Sequence, residues 1–279
     1  MKIGIIGLGL IGGSMAKAAA ATGAHTLWGR DTDPAVMKAA LDGGAIGGEL
    51  TDGRLAACDL ILLALTPGPL PGEAARIAPL LKREAVLIDL CGVKRAAEAA
   101  LRPLAEKYGF RYVGGHPMAG KEKGGFAHSD PALFKGASMI LTPGAEPLPE
   151  GLEEFFLSLG FGRITVCDAD AHDRHIAYTS QLAHIVSSAY VQSPGALQHL
   201  GFSAGSFKDM TRVATLDETM WTDLFLANRD CLSNELKGLI ARLTAFSDAL
   251  ETGDAETLRA MLAAGKEQKA KSLEGDSET

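Results

Sequence analysis

A histidine stands in the run Gly114-Gly115-His116-Pro117-Met118-Ala119-Gly120, directly after the apolar segment Phe110-Arg111-Tyr112-Val113. The segment reads as a strand. His116 is therefore expected in a loop at a strand end, between two flexible glycines and a stiff proline. Ligands bind at that edge in open α/β sheets, and an imidazole exchanges protons near neutral pH. His116 is the first candidate for a catalytic base; the competing reading is a loop histidine bonded to backbone. A second group, Gly7-Leu8-Gly9-Leu10-Ile11-Gly12, is a G-x-G-x-x-G. The pattern alone is weak in a chain with 33 glycines. Its context is stronger, because it follows an apolar strand and opens a helical run. There Gly7 permits a tight turn, Gly9 lets the backbone approach a pyrophosphate, and Gly12 lets helix and strand pack. The helix N-terminus adds free N–H groups and a positive dipole end.

Asp31 lies nineteen residues beyond Gly12, where an acid hydrogen-bonds the adenosine ribose 2′-OH of NAD. Arg30 could instead pair with a 2′-phosphate, and Asp31 could merely start the turn Asp31-Thr32-Asp33-Pro34. NAD is favoured over NADP. Leu65 and Thr66, just past the third strand, complete the expected cofactor set. Further polar residues interrupt the second half. Ser180 and His184 are four apart on one helical face; taken alone, His184 reads as a satisfied core histidine. His172-Asp173-Arg174-His175 has the types for half a metal site, but no third ligand group accompanies it, so a polar helix start is the better reading and no metal is expected. Lys208 and Arg212, also four apart, are either a solvated face or, facing a cleft, a carboxylate clamp.

The elements that must position these groups alternate. Apolar strands are predicted at residues 2–6, 25–29, 60–64, 86–90, 112–113, 138–141 and 163–166, with helical runs at 11–21, 35–42, 72–81 and 94–108. Such alternation predicts an α/β fold with a doubly wound, mainly parallel sheet over residues 1–168. Helices alone are predicted over 169–279: one at 171–191, a longer pattern at 216–250, and another at 255–265, followed by a charged tail from Lys266 read as frayed. Leu232, Leu236, Leu239, Leu243, Phe246 and Leu250 form a narrow seam, read as a buried bundle helix, with a bundle shared by two subunits as the further option.

With 279 residues, 47% hydrophobic and 22% charged, the chain has a globular balance. A net charge of -7 argues against a nucleic-acid surface. Cys58, Cys91, Cys167 and Cys231 are far apart, which fits reduced thiols in a cytoplasmic protein. No apolar run is long and glycine-free enough for a membrane span.

Taken together, these residues resemble the prephenate/arogenate dehydrogenase family of tyrosine biosynthesis. The resemblance rests on Gly7 to Ser14, on Asp89-Leu90-Cys91-Gly92-Val93-Lys94, on Gly115-His116-Pro117-Met118-Ala119-Gly120, on His172-Asp173, on Ser180-Gln181-Leu182-Ala183-His184, on Phe207-Lys208-Asp209-Met210-Thr211-Arg212 and on Trp221. It implies a Rossmann-type domain followed by an all-α substrate and dimerisation domain, hence a homodimer. It implies NAD-dependent oxidative decarboxylation of prephenate to 4-hydroxyphenylpyruvate, with arogenate as the alternative substrate. A 3-hydroxy-acid or 6-phosphogluconate-type dehydrogenase is the more distant alternative. By resemblance His116 bonds the substrate's ring hydroxyl, Arg212 holds the ring carboxylate, and Lys208, His184 and Ser180 line the substrate site. Tyrosine is expected, if it inhibits, to compete at that site. The family often has serine where this chain has Gly92, and water or Cys91 is the expected substitute.

Overall fold

The computed structural model describes residues 1–277. It divides into two compact units, Met1–Arg229 and Asp230–Thr279. The first opens with β1 (Lys2–Ile6), α1 (Leu10–Ala21), β2 (Thr26–Arg30), α2 (Pro34–Asp42), the short α3 (Asp52–Leu55), β3 (Leu60–Leu63), α4 (Leu70–Ile77), β4 (Val86–Asp89) and α5 (Arg95–Tyr108). It continues with β5 (Arg111–Pro117), β6 (Ser138–Thr142), α6 (Leu152–Ser158) and β7 (Arg163–Val166). The strands form one sheet in the order β2-β1-β3-β4-β5-β6-β7, parallel except for the β5–β6 pair. Helices cover both faces, so the central strands are apolar on both sides: Ile3, Ile5, Leu62 and Ile88 pack into one core, Ile61, Leu63 and Leu87 into the other. The expected α/β class is observed.

Local chemistry fixes the boundaries. Asp33 accepts from the Ala35 N–H at 2.8 Å with Pro34 at the first helical position of α2. Gly109, at φ +79°, ends α5 in the left-handed region.

One departure bears directly on chemistry. His116 is not in a loop. β5 runs through Gly114 and Gly115 to Pro117, while its parallel partner β4 stops at Asp89, opposite Gly114. Residues 115–117 overhang the parallel edge and pair only with β6, His116 opposite Ile140. The two glycines are not hinges either. A Cβ on Gly114 would lie 2.2 Å from Thr142 Oγ1, and one on Gly115 would lie 2.8 Å from Ile88 and Met139. They are close-packing positions inside a strand.

The first unit then turns helical with α7 (Ala169–Ile176), a π-helical segment (Ala177–Leu182), α8 (Ala183–Val191), α9 (Gly205–Thr211) and α10 (Glu218–Ala227). The single helix expected over 171–191 is thus interrupted by a π segment, a local rewinding common at functional sites. The pattern expected over 216–250 is broken at Asn228, where ψ of 27° leaves the helical region. The second unit consists of α11 (Arg229–Glu251), whose first residue belongs to the first unit, and α12 (Ala255–Ser277). The tail from Lys266 is helical as far as Ser277, not frayed; residues 278 and 279 lie outside the described range. The seam is not a buried bundle helix within one chain: Leu232 is buried, but Leu243 and Leu250 are 57% and 67% exposed.

Candidate active site

The overhang of β5 carries the His116 ring beyond the sheet edge, where the His172 ring meets it. His116 Nδ1 and His172 Nε2 are 2.9 Å apart, and His172 Nδ1 lies 2.7 Å from Asp173 Oδ1. Asp173 is fully buried, yet its carboxyl is held below the usual range. Burial alone would raise it, but bonds from the His172 ring and from the N–H groups of Lys94 and Arg95 outweigh that effect. A carboxylate only accepts, so His172 Nδ1 carries the proton and Nε2 is the acceptor. His116 Nδ1 must then donate, which leaves the lone pair on His116 Nε2. That nitrogen points toward Gly92, where a Cβ would lie 3.8 Å from it. Burial, then the neighbouring His172 and Lys94, hold His116 well below its ordinary value. His172 is also lowered, chiefly by burial. The arrangement therefore favours a neutral His116 imidazole whose lone pair lies on Nε2.

The carboxylate behind this relay is anchored on several sides. Its Oδ2 accepts from the Arg95 N–H at 3.0 Å and from Arg95 Nε at 3.2 Å. Asn228 donates to the Asp173 carbonyl and to Gln181 Oε1, both at 2.8 Å. Gln181 in turn donates to the Leu224 carbonyl at 3.2 Å. The π segment, α7 and the break before α11 thus close around one polar cluster. Cys91 does not replace the missing serine. Its side chain packs in the core with Ile61 and Leu87, and burial pushes the thiol up to about 11.

The glycine turn lies at the same C-terminal edge. Gly7 has φ +85°, and a Cβ there would lie 2.5 Å from the Ala64 carbonyl. A Cβ on Gly12 would lie 1.9 Å from the Gly7 carbonyl, whereas Gly9 faces open space. Turn, packing and approach positions are all as a pyrophosphate cradle requires. Leu8 is buried in the core and Ile11 packs against it, so these two offer backbone rather than side chain. Leu10 is the first residue of α1. Asp31 Oδ2 accepts from the Leu8 N–H at 2.7 Å, which draws the acid against the turn. Arg30 points elsewhere. It donates to the Leu50 carbonyl at 3.0 and 2.6 Å and pairs with Asp52 at 3.0 Å. Leu65 stands against Gly7, and Thr66 is half-buried beside it.

Arg212 caps α9 and is 67% exposed, 3.6 Å from Glu122 in the segment that follows β5. Lys208 is exposed on the same helix. His184 packs against Trp221 with ring centroids 4.0 Å apart and the planes tilted by 31°, and its Nδ1 donates to the Ser180 backbone carbonyl at 2.8 Å. Ser180 thus holds His184 through its carbonyl rather than its hydroxyl. The structure brings His116 together with His172, Asp173, Lys94 and Gly92, a set that sequence reasoning left dispersed.

Comparison with known proteins fits this arrangement. A family model described as the nucleotide-binding domain of prephenate dehydrogenase matches residues 15–157, and one described as the prephenate dehydrogenase dimerization domain matches residues 168–264. The chain belongs to the prephenate dehydrogenase family. The cyclohexadienyl dehydrogenase of Zymomonas mobilis is 30% identical, over 92% of this chain and 90% of that protein. The prephenate dehydrogenase of Bacillus subtilis is 28% identical, over 91% of this chain and 71% of its own length. A crystal structure of Aquifex aeolicus prephenate dehydrogenase, in complex with hydroxyphenyl propionate and NAD+, superposes with a TM-score of 0.83. It is 27% identical and covers 98% of both chains. The family expected from the motifs is the family found.

Proposed function

We propose that this chain is an NAD-dependent prephenate dehydrogenase that converts prephenate to 4-hydroxyphenylpyruvate and CO2 in tyrosine biosynthesis. The observation that carries the reading is the fixed tautomer of His116, whose Nε2 lone pair opens at the sheet edge that also bears the glycine turn. His116 accepts the proton of the ring hydroxyl as C4 releases hydride. Gly7, Gly9 and Gly12 would hold NAD, with Asp31 at its ribose, and NAD so bound would supply the acceptor for that hydride. Loss of the ring carboxylate as CO2 sends its bonding electrons through the ring to the C4 oxygen. That oxygen recovers the proton from His116, so the ring is aromatic and the base is neutral again. Arg212 holds the ring carboxylate through its planar fork, and Lys208, His184 and Ser180 line the substrate site. Arg30, occupied by the Leu50 carbonyl and Asp52, is in no position to welcome a 2′-phosphate.

We assign residues 1–168 to nucleotide binding and 169–279 to substrate binding and dimerisation. Exposed apolar residues on α11 and α12, Leu243, Leu250 and Leu262, support a homodimer. Among the described residues no helix is long and apolar enough to cross a membrane; a cytoplasmic location is part of the proposal, as is tyrosine acting as a competitive inhibitor. The test is NADH formation with prephenate and arogenate, each with NAD and NADP. The highest kcat/KM is expected for prephenate with NAD. Faster turnover of arogenate would reassign the substrate, and turnover of neither would refute the reading. Arg212→Ala should raise KM for prephenate about 10- to 100-fold, the worth of a charge-assisted bond, with KM for NAD unchanged.

A further inference from the structure

Lys94 is completely buried although it carries an ammonium group. The hydration lost on such burial is large, so its partners must justify its place. Nζ donates to Asp89 Oδ1 and to the Gly115 carbonyl, the latter at 2.7 Å. The backbone N–H of the same residue donates to Asp173 Oδ1 at 2.7 Å. Gly115 precedes His116 in β5, and Asp173 fixes the ring that accepts from His116. The lysine stem passes Gly114, where an added Cβ would lie 3.1 Å from Lys94 Cδ. A side chain at position 114 would therefore push the lysine aside.

We propose that Lys94 is a positioning residue for His116, gripping the backbone before the base and the carboxylate behind its partner ring at the same time. The proposal rests on the reading of His116 as the base. A buried pair serving stability alone is often no better than an apolar filling of the same shape. Here Nζ also ends on the Gly115 carbonyl beside the base, while the backbone N–H of the same residue holds the carboxylate behind the partner ring. Tyr112 donates to Asp89 Oδ2 at 2.7 Å and the Cys91 N–H to Oδ1 at 3.0 Å, so both oxygens of the lysine's partner are held in place. The charged and titratable groups around the base come from three elements. His172 and Asp173 lie on α7, Lys94 precedes α5, and Asp89 ends β4. Among them the lysine cation lowers both histidines, so it favours the neutral base as well as its direction.

The test uses Lys94→Met and the double variant Lys94→Met/Asp89→Asn, which leaves no unpaired buried charge and carries the test if the single variant does not fold. His116→Asn is the reference. Turnover of prephenate with NAD is followed across pH, NAD affinity by calorimetry, and folding by thermal unfolding. The expected result is native-like NAD affinity and KM values within about twofold. With these, kcat falls at least about tenfold and the acid limb of kcat/KM moves up by about half a pH unit or more, as removal of a nearby cation requires. An unchanged kcat, or a loss that follows only the folded fraction with a superimposable pH profile, would overturn the proposal. Full activity in His116→Asn would instead remove the reading on which it rests.

Discussion

His172→Phe is the sharpest perturbation of the relay. Phenylalanine keeps the ring volume and the burial but removes the acceptor that lies 2.9 Å from His116 Nδ1. Two effects follow. The Nδ1–H is left without a partner in a dry site, a cost of about 1–3 kcal/mol. The tautomer is also no longer fixed, so the proton can move to Nε2 and block the nitrogen that must act as base. Expressed fully in the transition state, the first effect alone lowers kcat/KM roughly five- to 150-fold. The pH profile gives an independent sign. Activity requires neutral His116 and is lost as pH falls through its folded pKa. Burial is the largest cause of the low value and persists in the variant, while the neighbouring His172 ring, the second cause, is gone. The acid limb should therefore move upward and stay below about 6.5. The assay is NADH formation from prephenate over a pH series, with thermal unfolding as a check on folding. A kcat/KM within twofold of the parent, with an unshifted limb, would refute the relay.

Gly92→Ser should be tolerated: its Cβ would lie 3.8 Å from His116 Nε2 and 3.2 Å from Leu224, so Leu224 gives slightly and the hydroxyl donates to the lone pair. We expect kcat within about threefold and an acid limb moved down, since a bond to the neutral ring disfavours protonation; a limb moved up would show that Nε2 faces elsewhere. Asp31→Ala removes the acceptor of the Leu8 N–H and should raise KM for NAD about tenfold, the worth of one charge-assisted bond. KM for prephenate should stay within twofold, and equal changes in both would count against the cofactor assignment. Thermal stability should also depend on pH. His116 and His172 are both lowered in the folded state, so their contribution is fully present above about 6.5 and is lost as pH falls toward the folded values. In His116→Asn/His172→Phe that part of the acid slope of Tm should vanish; an unchanged slope would mean that other groups produce it.

The sheet was readable because its strands are continuous apolar runs of four or five residues between turn signals. Apart from the C-terminal end of β5, their boundaries fall within a residue or two of the observed ones. The overhang of β5 was not readable. It depends on pairing with β6, more than twenty residues away, and nothing within residues 114–117 reveals that partner. Two glycines beside a histidine resemble a hinge until the atoms that crowd them are known. His172 and Asp173 did carry a signal that was missed. Ala169, His172, Asp173 and Ile176 are all buried at spacings of 3, 1 and 3, so two titratable residues occupy the core-facing stripe of a helix. Polar groups there need buried partners. Lys94 had no such mark, since a lysine at a helix start reads as solvated, and its burial is set by strands β4 and β5 together. Asn228 lay hidden inside a helical pattern that looked unbroken, and only its hydrogen bonds to the relay explain the break.

The strand that carries His116 also sets how the base moves. A histidine on a loop explores its surroundings each time the loop fluctuates, and every turnover must then recover a productive orientation. Here the backbone at position 116 lies in the ladder with Ile140, so its amide should exchange with solvent on the slow schedule of the sheet interior rather than the fast one of surface turns. Orientation of the base is then settled during folding, before any substrate arrives.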